Sequence, residues 1–153
     1  MTTPVRSALL GSSPLLPLVQ DGLGAVAKPH RRLIHDSIHT DFLDSLDVDE
    51  GLRVGRETEN RWDYLLGHAK GVVGLEPHSA NTSELSVVKR KRTAASQQLR
   101  THLKPGVQIQ RWYWVASGPV AIVDFTKAKL QLAQAGVTFV GKQLLKKHID
   151  AIG

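Results

Sequence analysis

The chain has 153 residues, enough for one domain with a sizeable core. It has no cysteine, which excludes disulfides, zinc ribbons and thiol catalysis. Twenty Lys+Arg against 14 Asp+Glu give a net charge of +6, a balance that favours a polyanionic partner such as nucleic acid.

Residues 1–29 are rich in small residues, Leu and Pro. Ala25-Val26-Ala27 has the look of a cleavage site after an apolar run. Pro14 and Pro17 break that run, and only Arg6 stands ahead of it. The expectation is a flexible arm over 1–29 carrying a short helix, not a signal peptide, ahead of a single domain over 30–153. No stretch is long enough to span a membrane. The lack of cysteine suits a reducing compartment, so a cytoplasmic protein without membrane association is expected.

After Pro29, the apolar residues Leu33, Ile34, Ile38, Phe42, Leu43 and Leu46 recur at helical spacing, which predicts an amphipathic helix near 30–46. His35 and His39 are i, i+4 neighbours there, either a metal-ligand pair or an ordinary helix surface. Asp41, Asp44, Asp47, Asp49 and Glu50 follow as an acidic run, read as a short strand or a helix end.

Arg61 to Ala80 reads as a hairpin. Trp62, Tyr64 and Leu66 alternate with Arg61, Asp63 and Leu65 at strand period, and His68-Ala69-Lys70-Gly71 makes the turn. Symmetric pairing sets Gly67 opposite Val72, Leu65 opposite Gly74, Asp63 opposite Glu76 and Arg61 opposite His78. Opposed side chains share a face, with Cβ atoms about 5 Å apart. One face, with Trp62, Tyr64, Leu66, Val73, Leu75 and Pro77, is then core, and the other is a charged constellation. Facing carboxylates repel. Either Mg²⁺ resolves the conflict, or Arg61 or a lysine from elsewhere does so in a solvated ion cluster. A third carboxylate would come from the acidic run, Glu57 or Glu59.

Asn81-Thr82-Ser83-Glu84 is a helix start, and the helix runs to about Leu103, ahead of Pro105-Gly106. Leu85, Val88, Ala95, Leu99 and Leu103 form its buried stripe. Lys89-Arg90-Lys91-Arg92 lies inside it, and consecutive residues sit 100° apart, so the four cannot form one patch. Arg92 falls close to the stripe, Lys89 and Lys91 flank it, and Arg90 points away. Either the run is solvated with snorkelling stems, or Arg92, Lys91 or Lys89 reaches over the stripe toward the charged face. Residues 107–116 are the strongest strand. Trp112 and Trp114 share one of its faces, as core or as a platform for bases. A turn at Ser117-Gly118, a short strand over 120–124, a helix over 126–135 closed by Gly136, a strand over 137–140 and a basic helix over 142–149 complete the chain.

Asp63, then Glu76-Pro77-His78 ending the next strand, then a helix and another strand, resembles the restriction-endonuclease-like superfamily. Its signature is PD…(D/E)xK on a helix–three-strand–helix–strand core, and the resemblance covers about residues 31–116. It implies an α/β fold with a mixed central sheet flanked by helices and a restriction-endonuclease-like core. It implies Asp63 and Glu76 as Mg²⁺ ligands, with a lysine that orients or activates the attacking water. Trp62 stands where the family has Pro, and His78 where it has Lys. In some members the lysine comes from the following helix. Lys89 or Lys91 would then stand in, or His78 would itself act as base.

The resulting expectation is a small Mg²⁺-dependent nuclease acting on DNA or RNA. Its catalytic set is Asp63, Glu76, His78, Lys89 and Lys91, with Arg61, Arg90, Arg92 and Arg111 on the nucleic acid. One alternative, motivated by His78, is a nuclease-like fold that binds nucleic acid without cutting. Another is a protein-interaction module, such as an antitoxin, a subunit of a larger machine or a homodimer, motivated by small size and the apolar arm.

Overall fold

Six strands form one mixed sheet whose order follows the chain: β1 (Gln20–Asp21), β2 (Phe42–Asp47), β3 (Tyr64–His68), β4 (Gly71–Asn81), β5 (Arg111–Ala121) and β6 (Thr138–Phe139). The structure is a computed structural model and describes residues 2–153. Strands β1 to β4 pair antiparallel, while β4–β5 and β5–β6 pair parallel. Parallel neighbours need crossovers, and these are α4 (Leu85–Leu99) and α5 (Phe125–Gln134). Four short helices, α1 (Pro4–Ala8), α2 (Lys28–Arg31), α3 (Val48–Leu52) and α6 (Lys146–Asp150), fill in the layers. The chain is thus α/β, with a mixed sheet flanked by helices. No described helix is long and apolar enough to cross a membrane.

The sheet divides the interior into two apolar clusters. One holds Val5, Leu9, Leu65, Val88, Leu99, Trp112 and Trp114, and the other holds Ile34, Ile38, Phe42, Tyr64, Leu66, Leu75 and Val115. Strand alternation sends Leu65 to the first cluster and Tyr64 and Leu66 to the second. A sheet covered on both faces explains the unbroken burial of Trp112 to Ala116 in β5. Trp112 and Trp114 are core, not an open platform.

The hairpin forms in the expected register, with Leu65 paired to Gly74 and Gly67 to Val72. Its second face differs from expectation. Leu65 and Val72 on it are buried, because α4 and two tryptophans cover it. Trp62 lies on this side as well, edge-on to Trp112 with ring centroids 5.0 Å apart. Both rings lie over Gly74, where a Cβ would stand 2.6 Å from Trp112 and 2.9 Å from Trp62 Nε1. Only a glycine admits them. The charged constellation is therefore confined to the open end of the hairpin.

Residues 30–46 are not a helix. α2 stops at Arg31, Asp36–Asp41 form a 3₁₀ turn, and β2 begins at Phe42. Ile34, Ile38 and Phe42 still reach one cluster, which is why their spacing looked helical. Asp44 supplies a reason for the strand. Its two oxygens accept the Val5 and Arg6 N–H groups at 3.0 Å each, two donors that the first turn of α1 leaves without helical partners. That contact ties down the residues expected to be a loose arm. The short helix is present, but Val5, Leu9, Leu15, Val19 and Val26 are buried. His35 and His39 are no ligand pair: His35 Nδ1 accepts the Ser37 N–H, and His39 Nε2 lies 2.7 Å from the Ile34 carbonyl oxygen.

Further along, α4 ends at Leu99 rather than Leu103. β5 extends past Ser117-Gly118 to Ala121 rather than ending in a turn, but its pairing with β4 shifts register there, from His78–Ala116 to Ala80–Val120. The terminal helix is shorter than expected, Lys146–Asp150.

Candidate active site at the open end of the hairpin

The β3–β4 ladder closes at Tyr64 and Leu75. Asp63 and Glu76 are the next pair outward, and they face each other as expected. The link is the Asp63 N–H, which donates to Glu76 Oε1 at 2.9 Å. Pro77 comes next on β4. It has no N–H to give a ladder, and β3 has already ended beside it. Pairing of β3 with β4 stops here, and at this open end, the mouth of the hairpin, Asp63 is partly exposed and Glu76 fully buried.

Of the two candidate lysines, α4 delivers Lys91. Lys91 stands three residues after Val88 and four before Ala95, both fully buried. Residues at that spacing share a helix face, so Lys91 belongs to the stripe that packs on the sheet. Its Nζ lies 2.5 Å from Glu76 Oε2 and 3.9 Å from Asp63 Oδ1. Lys89 is two residues back, about 200° round the helix, and no ion pair joins it to this cluster among the described residues.

His78 lies on the far side of Glu76, with Nδ1 3.6 Å from Glu76 Oε2 and Nε2 3.0 Å from Glu84 Oε2. The first distance is a charge contact and the second a hydrogen bond. Glu84 was expected only as a residue of the helix's first turn. Its place beside His78 depends on how the chain bends from β4 into α4, which spacing does not reveal. Charges therefore alternate along one line: Asp63, Lys91, Glu76, His78, Glu84.

Burial, and then the charge of Glu76, push the Asp63 carboxyl up to about 7. Lys91 pulls the other way without cancelling them. Burial pulls the Lys91 ammonium down, but Glu76 and Asp63 outweigh it, and its pKa stands above the ordinary lysine value. Glu76, opposed by burial and aided by Glu84, raises His78. A carboxyl that titrates near neutrality beside a mouth is a frequent mark of a functional site.

The arginines assigned to nucleic acid separate. Arg61 does not face His78. It bonds Asp49 Oδ1 at 2.9 Å and the Arg56 and Glu59 carbonyls, holding the loop ahead of β3. Arg90 is exposed. Arg92 lies over the Trp112 ring, 4.3 Å from its centroid. Arg111 donates to the Gln110 and Ala151 carbonyls. Glu57 and Glu59 are engaged elsewhere, by Gly55 and Gln98. Asp47 and Asp49 act on Asp63 only through their charge.

Among the described residues, no three of His, Cys, Asp and Glu gather as a metal-binding group. The pair Asp63–Glu76 offers the oxygen donors that a hard cation takes, although the Asp63 N–H and Lys91 already engage both Glu76 oxygens. Mg²⁺ is commonly held by one or two carboxylates, with water and phosphate completing the shell. Comparison with protein-family models, curated proteins and solved structures finds no match.

Proposed function

We propose that the chain is a metal-dependent phosphodiesterase that cuts nucleic acid at Asp63, Glu76 and Lys91. One observation carries the reading: a lysine of the helix after β4 reaches both facing carboxylates. It supplies the cation that His78 does not provide as a lysine. Three antiparallel strands, a helix and a parallel strand follow one another here, an order compatible with part of the core that the resemblance implies, although the helix expected ahead of the strands is absent.

A divalent cation held by Asp63 and Glu76 would polarise phosphoryl oxygens and lower the pKa of bound water. Asp63 binds a proton or a cation, not both, so the site is better formed above about pH 7. Lys91 is held close enough to both carboxylates to donate to a phosphate oxygen as negative charge grows there. His78 accepts a proton only in its neutral form, which the neighbouring Glu76 and Glu84 shift toward higher pH. The basic chain holds the phosphate backbone, and binding weakens as salt rises.

The test is cleavage of labelled DNA and RNA with Mg²⁺ or Mn²⁺. Asp63→Ala, Glu76→Ala and Lys91→Met should each abolish cutting, while Lys89→Met should leave it near wild type. Cleavage that survives both carboxylate replacements would end the reading. A second reading is nucleic-acid binding without chemistry. It is favoured by Glu76, whose two oxygens are both engaged inside the protein. It predicts salt-sensitive binding that divalent metal leaves unchanged.

A further inference from the structure

Beside Trp112 runs a groove of about 540 Å³. It lies between the C-terminal half of α4, the loop over 104–109 and the start of β5, and its volume falls in the range of ligand sites. Arg92, Arg100 and Lys104 line it together with Leu99, Leu103 and Ile109. A second hollow of about 340 Å³ shares Arg92 and Trp112 and adds Arg111. No carboxylate lines either one.

Arg92 joins the two hollows. Its guanidinium rests on Trp112 and touches Ser96 Oγ through Nη1. Its Nε is buried without a hydrogen-bond partner, and a buried N–H left unpaired is costly. Trp112 in turn meets Trp62, the residue before Asp63, and Lys91 precedes Arg92 on α4. The groove thus shares Trp112 and α4 with the surroundings of residues adjacent in sequence to Asp63 and to Lys91.

We propose that this groove holds an unpaired nucleic-acid strand, with Arg92 on a backbone phosphate and the apolar wall against sugar and base. The proposal rests on the phosphodiesterase reading and names its substrate as single-stranded. Charge selects a polyanion, because the hollows carry four cationic side chains and no acid. The apolar wall selects an unpaired strand. A duplex keeps its bases stacked inside and would offer this wall only phosphates, whereas an unpaired strand offers phosphates and bare bases together.

The experiment is fluorescence anisotropy of labelled oligo(dT) and of the same oligonucleotide in duplex with oligo(dA), both in EDTA so that nothing is cut. The single strand should bind about tenfold tighter or more. Arg92→Ala should weaken single-strand binding by about tenfold, while Lys142→Ala, at an exposed position that lines neither hollow, should change it less than about twofold. Arg100→Glu with Lys104→Glu tests the groove through exposed positions if Arg92→Ala does not fold. Equal binding of duplex and single strand, or equal effects of Arg92→Ala and Lys142→Ala, overturns the proposal. Cleavage with Mg²⁺ is read separately. If Arg92→Ala loses binding and no variant cuts, the groove stands without the phosphodiesterase. If cutting depends on Asp63 while Arg92→Ala binds as wild type, the groove falls and the phosphodiesterase stands.

Discussion

Asp44 and Asp63 are both removed from water in the same sheet, yet one is a fastener and the other a titrating group. Asp44 is fully buried, and both its oxygens accept backbone N–H groups. It sits over Gly67, where a Cβ would lie 1.9 Å from its oxygen. The glycine makes the room, and α1 supplies the donors. Asp63 faces Glu76 across a separating ladder, and the one lysine near it binds Glu76 more closely. Burial by itself does not mark a site. The mark is a buried charge whose partners do not complete it.

Removing each aspartate should therefore move stability in opposite directions. The larger effect belongs to Asp44→Ala, which leaves two buried N–H donors unpaired. The expected loss is about 2–4 kcal/mol, read by chemical denaturation. A loss below about 0.5 kcal/mol would mean that the amino-terminal residues are not held by this contact in solution.

Asp63→Asn should stabilise at alkaline pH. The folded-state pKa of Asp63 is about 7, above the unfolded value of 3.8. The protonated form thus favours folding. That contribution is complete below 3.8 and is lost as pH rises through about 7. His78, also raised, adds a loss of the same sign above its ordinary value. Wild-type stability should fall from pH 5 to 8. Asp63→Asn should flatten that fall and exceed wild type by about 2 kcal/mol at pH 8. The same substitution should abolish metal binding, which in wild type should strengthen over this range as the competing proton leaves. A wild type as steep as Asp63→Asn would show that Asp63 is ionised throughout and fully paired.

The contrast between the two aspartates also shows what spacing can and cannot reveal. The turn at His68–Gly71 and the period-two pattern beside it set the hairpin register, so the facing of Asp63 and Glu76 was legible. The stripe through Val88 and Ala95 was legible too, and extended by i, i+3 it contains Lys91. Choosing Lys91 over Lys89 still required knowing that α4 lies across the mouth. Asp44 was read as part of an acidic run because its partners are backbone groups 39 and 38 residues away. The helical spacing of Ile34, Ile38 and Phe42 misled for a related reason. A 3₁₀ turn followed by a strand can return the same residues to one core, and only the sheet's tertiary pairing decides. Glu84 and the arginine groove depend on the approach of distant segments, and neither left a local signal.

The smallest effect expected is at Glu84, the outer end of the charge line. His78 lies between Glu76 and Glu84, and Glu76 contributes more to its raised pKa. Glu84→Gln keeps the shape and removes the outer charge. The His78 ring, followed by NMR, should then titrate at a lower pH than in wild type while staying above the ordinary histidine value, because Glu76 remains. Glu76→Gln should lower it further. If His78 is the base, the acid limb of the cleavage profile in Glu84→Gln should move to lower pH with the ring. A ring that shifts while the profile stays fixed would assign that limb to Asp63, whose environment Glu84→Gln leaves intact. An unmoved ring would mean that the 3.0 Å contact between His78 and Glu84 is not populated in solution. The alternating line of charges would then end at His78.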